Sequence, residues 1–138
     1  MLFDHAGDKN KIKQMKALNL AYVGDAVYEL YIRSNIINKH PEAKVRALHM
    51  LGSSVSNCTF QAGLLEKLKP LLSDDEAAVV RRGENAKPHS FPRNAPKPLY
   101  IEATAFEALL GYVYLSGDET RLTSILEAIE KEIEKMIV

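Results

Sequence analysis

The feature that most narrows what this chain can become is the run "LNLAYVGDAVYELYI", Leu18 to Ile32. Leu18, Leu20, Tyr22, Val23, Ala26, Val27, Leu30 and Ile32 make it most of one buried helix, yet Asp25 stands in its middle, directly after Gly24. Taking an unpaired carboxylate out of water is costly. Such a residue is expected to be partnered, bound to a metal, or placed at the mouth of a cleft.

The punctuation around this run predicts more helices. No segment shows sustained two-residue alternation between hairpin turns, so strands are not indicated. The first long helix is expected over roughly residues 15–38. Pro41 suits the first turn of a second helix running through Val45, Leu48 and Leu51. A third begins near Ser56, carries Phe60, Leu64, Leu65 and Leu68, and is interrupted by Pro70. "SDDE" at Ser73–Glu76 has capping-box spacing and opens a fourth helix that stops near Gly83. Residues 83–98, "GENAKPHSFPRNAPKP", hold four prolines and form the one clear loop. Pro98 then opens a helix to about Ser116, with Gly117 as its stop and Asp118 as the next cap. The last helix carries Leu122, Ile125, Leu126, Ile129, Ile133 and Ile137 on one stripe. A chain of 138 residues is enough for one sizeable core. The expectation is a single all-α domain over 1–138, a bundle of about six helices.

The net charge is zero, so bulk electrostatics does not announce a nucleic-acid binder. Its distribution is uneven. Between Arg81 and Pro98, Arg81, Arg82, Lys87, Arg93 and Lys97 face one anion, Glu84, and a smaller basic cluster lies at Lys9, Lys11, Lys13 and Lys16. The segment from Asp118 onward is acidic. Such local patches decide what a surface attracts. One cysteine, Cys58, rules out an internal disulfide, and no Cys/His group has zinc spacing. With no cleavable leader pattern and no apolar run of spanning length, the chain is expected to be cytoplasmic and off the membrane.

A second carboxylate repeats the predicament of the first. In "EATAFEALLGYVYL", Glu107 lies among Phe106, Leu109, Leu110, Val113 and Tyr114, with Gly111 one turn later. Glycines on facing helices let two backbones approach closely, which would bring Asp25 and Glu107 to one point. Two carboxylates meeting near a surface are hard cation ligands suited to magnesium.

"YVGDAVYELY" resembles the signature helix of the ribonuclease III catalytic domain, and "TAFEALLGYVYL" resembles that family's second metal-binding helix. The two stand in the family's order, about 80 residues apart. Size and detail are most similar to the family's compact bacterial branch, the Mini-ribonucleases III, which consist of the catalytic domain alone. The resemblance implies a homodimer that cuts double-stranded RNA with magnesium, manganese being a substitute. It implies that Asp25 is catalytic and that Glu107 is a metal ligand. It also implies maturation of precursor ribosomal RNA at 23S ends, with stimulation by a ribosomal protein. The larger enzymes carry two further glutamates where this chain has Leu18 and Ala21, and an aspartate where it has Thr104. No further double-stranded-RNA-binding domain is expected beyond the last helix, so the Arg81–Lys97 segment is expected to follow the RNA phosphates.

Several residues have plainer readings. Glu29, one turn after Asp25, either supports the metal site or pairs with Arg33. Thr104, three residues before Glu107, either orients a water or RNA, or simply packs. Arg81 and Arg82 close a helix, where cations suit the dipole regardless of function. His40, His49 and His89 are surface or capping residues, His89 being the one set in the basic loop. Cys58 is a small core residue, and the tyrosines belong to core or dimer interface. The alternative function is a non-catalytic helical module that binds structured RNA or a ribosomal protein. A carboxylate-bridged di-metal bundle would want Glu-x-x-His pairs, and none is present.

Overall fold

The computed structural model describes residues 7–137, so the extreme ends of the expected 1–138 domain lie outside the described residues. The capping box forms as the sequence predicts. Ser73 Oγ accepts from the Glu76 backbone N–H at 3.2 Å, and Glu76 Oε1 accepts from the Ser73 N–H at 2.9 Å. Three acidic residues then complement the dipole in the first turn of α5 (Asp74–Asn85). Upstream lie α2 (Ala17–Lys39), α3 (Val45–Ser56) and α4 (Cys58–Leu68), the last running into a 3₁₀ turn (Lys69–Leu71) at Pro70. Downstream are α6 (Lys97–Leu115) and α7 (Glu119–Met136). Gly117 takes the left-handed φ of 73° that ends α6, and Asp118 caps α7 by accepting from the Arg121 N–H. No strand occurs among the described residues. The fold is all-α.

Two local expectations are corrected. Pro41 is not in the first turn of α3. It sits in a separate turn closed by the Ala43 N–H on the His40 carbonyl, and the helix starts four residues later at Val45. Proline's fixed φ suits a turn as well as a helix start. A short helix, α1 (Lys9–Lys13), stands where none is predicted. It is capped by Asp8, which accepts from the Asn10 N–H at 2.8 Å, and is too short to show periodicity.

The core forms around α6, which is buried almost all round from Ala103 to Val113 and packs against α2, α4 and α5. Tyr28 sets its ring edge-on to Phe106, centroids 5.2 Å apart, and its hydroxyl donates to the Val55 carbonyl at 2.5 Å. Gly83 permits close approach of α5, because a Cβ there would lie 2.7 Å from the Ala105 Cα. The α7 stripe buries Ile125, Ile129 and Ile133. Glu130 fastens that helix to α2 through the Tyr31 hydroxyl (2.7 Å), the Asn35 amide and the Lys39 ammonium (2.8 Å).

The long α2 is not a buried helix throughout, which corrects the reading of its apolar run. Its buried stripe is Leu20, Ala21, Gly24, Tyr28, Ile32 and Ile36. Tyr22 is 82% exposed and Leu30 51% exposed, so the remaining apolar residues form a second, outward face. Cys58 is likewise not core but half-buried, at the first turn of α4.

Candidate active site

The site begins where α2 crosses α6. A Cβ at Gly24 would fall on the carbonyl oxygen of Glu107 and within 2.6 Å of its carbonyl carbon. Reciprocally, a Cβ at Gly111 would fall on the carbonyl oxygen of Leu20 and within 2.8 Å of its carbon. Each glycine is therefore the cradle for the other helix's backbone, as their placement beside the two carboxylates predicts.

That crossing fixes the acids. Asp25 follows Gly24 on the exposed side of α2, and Glu107, one turn before Gly111, is half-buried. Their carboxyl groups lie within hydrogen-bonding reach of each other. Burial, and then the Asp25 charge, push the Glu107 carboxyl up to about 8. The isolated look of Asp25 in the sequence is thus resolved by location. It stands at a solvent-facing rim opposite a second acid, not sealed against an arginine.

Gln61 on α4 is the functional neighbour that sequence reasoning missed. Its side chain is 4% exposed. Its amide donates to the Ser56 carbonyl at 3.2 Å, and its nearness to Glu107 favours the ionised carboxylate against burial. The helix also carries Thr59, Glu66 and Lys67, so a polar residue in it gives no sign that it is buried beside the acid pair. Glu29 lies near enough to disfavour the Glu107 charge slightly, but its own Oε2 accepts from Arg33 Nε at 3.1 Å. The plainer reading of Glu29 is therefore present. The same is true of Thr104, which is buried and donates its hydroxyl to the Tyr100 carbonyl at 2.9 Å.

Two carboxylates in contact fit a divalent cation. Their oxygens are hard donors, and the unfavourable proximity that raises Glu107 is relieved by a positive ion between them. Among the described residues no group of three His, Cys, Asp or Glu is placed to hold a metal. The remaining coordination positions would fall to water and to a phosphate-bearing substrate, the usual arrangement for magnesium.

The basic residues divide. Arg81, Lys87, Arg93 and Lys97 are exposed, the last three in or beside the loop, and Lys97 lies 5.3 Å from the Phe91 ring centre. Arg82 instead turns inward and donates to the backbone carbonyls of Met15 (2.7 Å) and Lys13. It ties the segment before α2 to α5, so its guanidinium is engaged by backbone carbonyls, unlike the four exposed cations. Long-range acceptance by two carbonyls leaves no local sequence mark. Lys9 and Lys13 face Asp118 and Asp75. His40 caps the C-terminus of α2, while His49 and His89 are exposed.

The outward face of α2 continues onto α7. Val23, Val27, Leu30, Tyr31, Leu122 and Leu126 line a mainly apolar groove of about 610 Å³.

The ribonuclease III domain profile matches residues 18–118, which covers both crossing helices and everything between them. The chain is 42% identical to the Mini-ribonuclease 3 of Symbiobacterium thermophilum, over 86% of this chain and 90% of the relative. It is 36% identical to that of Staphylococcus aureus, over 87% and 90%. A crystal structure of a Fusobacterium nucleatum protein superposes with a TM-score of 0.76 at 29% identity, covering 86% of this chain and 93% of that one. The chain belongs to the Mini-ribonuclease 3 family and is an endoribonuclease of the ribonuclease III type.

Proposed function

We propose that this protein cleaves double-stranded RNA with magnesium, or manganese in its place, held by Asp25 and Glu107. The observation that supports this most is the contact between those two carboxylates, from helices far apart in sequence, at a solvent-facing rim. When bound, magnesium lowers the pKa of a coordinated water and neutralises charge on the scissile phosphate and the leaving 3′-oxygen. The protein's part is positioning. Gly24 and Gly111 set the helix separation, Glu107 offers a half-buried oxygen, and Asp25 offers one that RNA can reach. Arg81, Lys87, Arg93 and Lys97 are placed to follow phosphates of an A-form duplex, whose shallow minor groove is read by shape. The prolines of the loop limit the ordering cost of docking.

The same reading makes the protein a cytoplasmic homodimer. One site cuts one strand, so a symmetric pair is needed to cut both. The apolar groove between α2 and α7 is the surface that a second copy would cover. No helix among the described residues is long and apolar enough to cross a membrane. Because the net charge is zero, intrinsic affinity for RNA is modest. A substrate presented by a ribosomal protein on precursor ribosomal RNA, at 23S ends, suits such a surface.

A second reading, a non-catalytic module that binds structured RNA or a ribosomal protein, is favoured by the small donor set, since among the described residues no group of three His, Cys, Asp or Glu is placed to hold a metal. Incubating a radiolabelled duplex with the purified protein, with and without magnesium, separates the two. Magnesium-dependent cutting that disappears in Asp25→Ala, with RNA binding retained, supports the nuclease site. Near-normal cutting by that variant rejects the assignment of Asp25, and binding without cutting by the native protein supports the module.

A further inference from the structure

Residues 86–96, between α5 and α6, carry the exposed cations Lys87 and Arg93 but form no helix. Among the described residues, the backbone from Lys87 to Ala95 makes one hydrogen bond within the loop, the Ala95 N–H on the Pro92 carbonyl at 3.3 Å. The loop is nevertheless held at both roots and at its middle. Lys69 joins the roots, its ammonium lying 3.1 Å from Glu84 near the end of α5 and 3.6 Å from Glu102 near the start of α6. The middle is held by Phe91, the one aromatic residue of the loop, which is half-buried. Its ring meets the Tyr100 ring edge-on, centroids 5.5 Å apart at 66°, and the Lys97 ammonium stands 5.3 Å from its centre. Edge-to-face rings and a cation beside a ring are both favourable contacts. Pro92 follows directly and biases the Phe91 backbone toward extended conformations, so little freedom is lost in seating the ring.

That seat has a fixed relation to the acid pair. Tyr100 precedes Glu107 by about two turns of α6, so the two lie on one face of the helix, about 10 Å apart along its axis. We infer that Phe91, seated on Tyr100, is the positioning residue of the basic loop. It holds Lys87 and Arg93 at a set distance from Asp25 and Glu107 before RNA arrives, so that the cations meet duplex phosphates already ordered. A loop left free would have to order its backbone on docking, which weakens binding without changing any contact in the complex. Phe91 acts through Tyr100 and not by touching RNA. The inference rests on the reading that the loop cations follow RNA phosphates, and the experiment keeps the two apart.

The native chain is compared with Phe91→Ala, Phe91→Tyr, Tyr100→Ala, the double change Phe91→Ala with Tyr100→Ala, and the pair Lys87→Ala with Arg93→Ala. Trypsin cutting of the free protein reads loop order directly: Lys87 and Lys97 each precede a proline, which leaves Arg93 as the site within the loop. Duplex RNA affinity is measured in chelator across salt concentrations, with kcat at saturating RNA and thermal unfolding beside it. Phe91→Ala is expected to be cut after Arg93 about tenfold faster and to bind duplex RNA about fivefold to tenfold more weakly, the loss of one aromatic contact. Its salt slope and kcat stay native, because the phosphate contacts, once made, are the same. Phe91→Tyr keeps the ring and restores both properties. Tyr100→Ala reproduces Phe91→Ala, and the double change is no worse than either single one. Phe91 lies in the loop and outside the core, so Phe91→Ala stays folded and decides the matter even if Tyr100→Ala is destabilised. Weaker RNA binding by Phe91→Ala at the native rate of trypsin cutting would mean that the ring touches RNA itself, and would overturn the positioning role. Faster cutting with native RNA affinity would overturn it too, by showing that seating the loop does not matter to binding. If the Lys87 and Arg93 pair of changes leaves RNA binding native, the RNA reading of the loop fails first and the role of Phe91 falls with it. Loss in that pair with native affinity in Phe91→Ala sinks the Phe91 inference alone.

Discussion

The Cβ that Gly24 lacks would occupy the place of the Glu107 carbonyl oxygen, and would also come within 2.9 Å of the Gly111 nitrogen. Both obstacles are backbone, so the neighbour cannot swing aside as a flexible side chain would. Gly24→Ala is expected to lose about 3 kcal/mol or more, at the upper end of overpacking costs. Gly111→Ala behaves alike. Gly63 is the internal contrast: it is exposed in α4 with nothing near its missing Cβ. Gly63→Ala is expected to gain roughly 0.5–1 kcal/mol from helix propensity. Urea denaturation of the three variants checks both signs.

The buried ion pair of the fold gives a pH signature. Glu76 is 5% exposed and accepts from Arg121 Nε (2.8 Å) and Nη2 (2.7 Å) as well as from its own cap. Burial opposes its ionisation, but the Arg121 and Ser73 hydrogen bonds outweigh that and hold its pKa below the ordinary carboxylate value. A depressed folded-state pKa contributes stability above the unfolded value, near pH 4.3, that is lost as pH falls through the folded one. The native protein should therefore lose stability steeply between about pH 5 and pH 3. Arg121→Ala should lose about 3 kcal/mol at pH 7, leaving Glu76 buried and unpaired. Its stability falls less on acidification than that of the native chain. Denaturation curves at pH 7 and pH 3.5 decide; a parallel acid loss in the two proteins would contradict the assignment.

Arg82 and the loop cations separate by readout. Arg82→Ala removes the donors from two backbone carbonyls and should cost roughly 1–3 kcal/mol of stability. Lys87→Ala and Arg93→Ala should leave stability within about 0.5 kcal/mol. On the RNA side the pattern reverses. Each loop variant that removes a phosphate contact lowers the salt slope of duplex binding by about 1, while Arg82→Ala leaves it unchanged. Affinities measured across salt concentrations test this.

Leu30 is half-exposed in the groove that a second copy would cover. Leu30→Asp should leave thermal stability of the monomer fold almost untouched and shift sedimentation from dimer to monomer. A native protein that sediments as a monomer at micromolar concentration would remove the dimer proposal.

What was legible in the sequence follows a physical line. Local chemistry reads well: the Ser73–Glu76 capping box, the Gly117–Asp118 stop and restart, and the proline-rich loop are decided by near neighbours. The Gly24 and Gly111 pair was readable because a glycine beside a carboxylate, within an apolar helical run, serves little purpose except close approach of a second backbone. Apolar periodicity, by contrast, marks a face without saying what covers it. Tyr22 and Leu30 therefore read as core when they are exposed. Arg82 acts on partners set by tertiary contact, with Lys13 lying far off in the chain, and Gln61 is buried by the same kind of contact, so their types and positions gave no sign of it. Thr104 and Glu29 offered two uses each, and the structure shows the nearer hydrogen bond made in both.

The central claim, that Asp25 and Glu107 serve one cation, is tested most directly by a double-mutant cycle on manganese affinity in the absence of RNA. Calorimetric titration of the native chain, Asp25→Asn, Glu107→Gln and the double variant gives the coupling. Two ligands of one ion predict that either single change removes most of the affinity and that the double change removes little more. Losses that add independently, or native affinity in either single variant, would contradict a shared site.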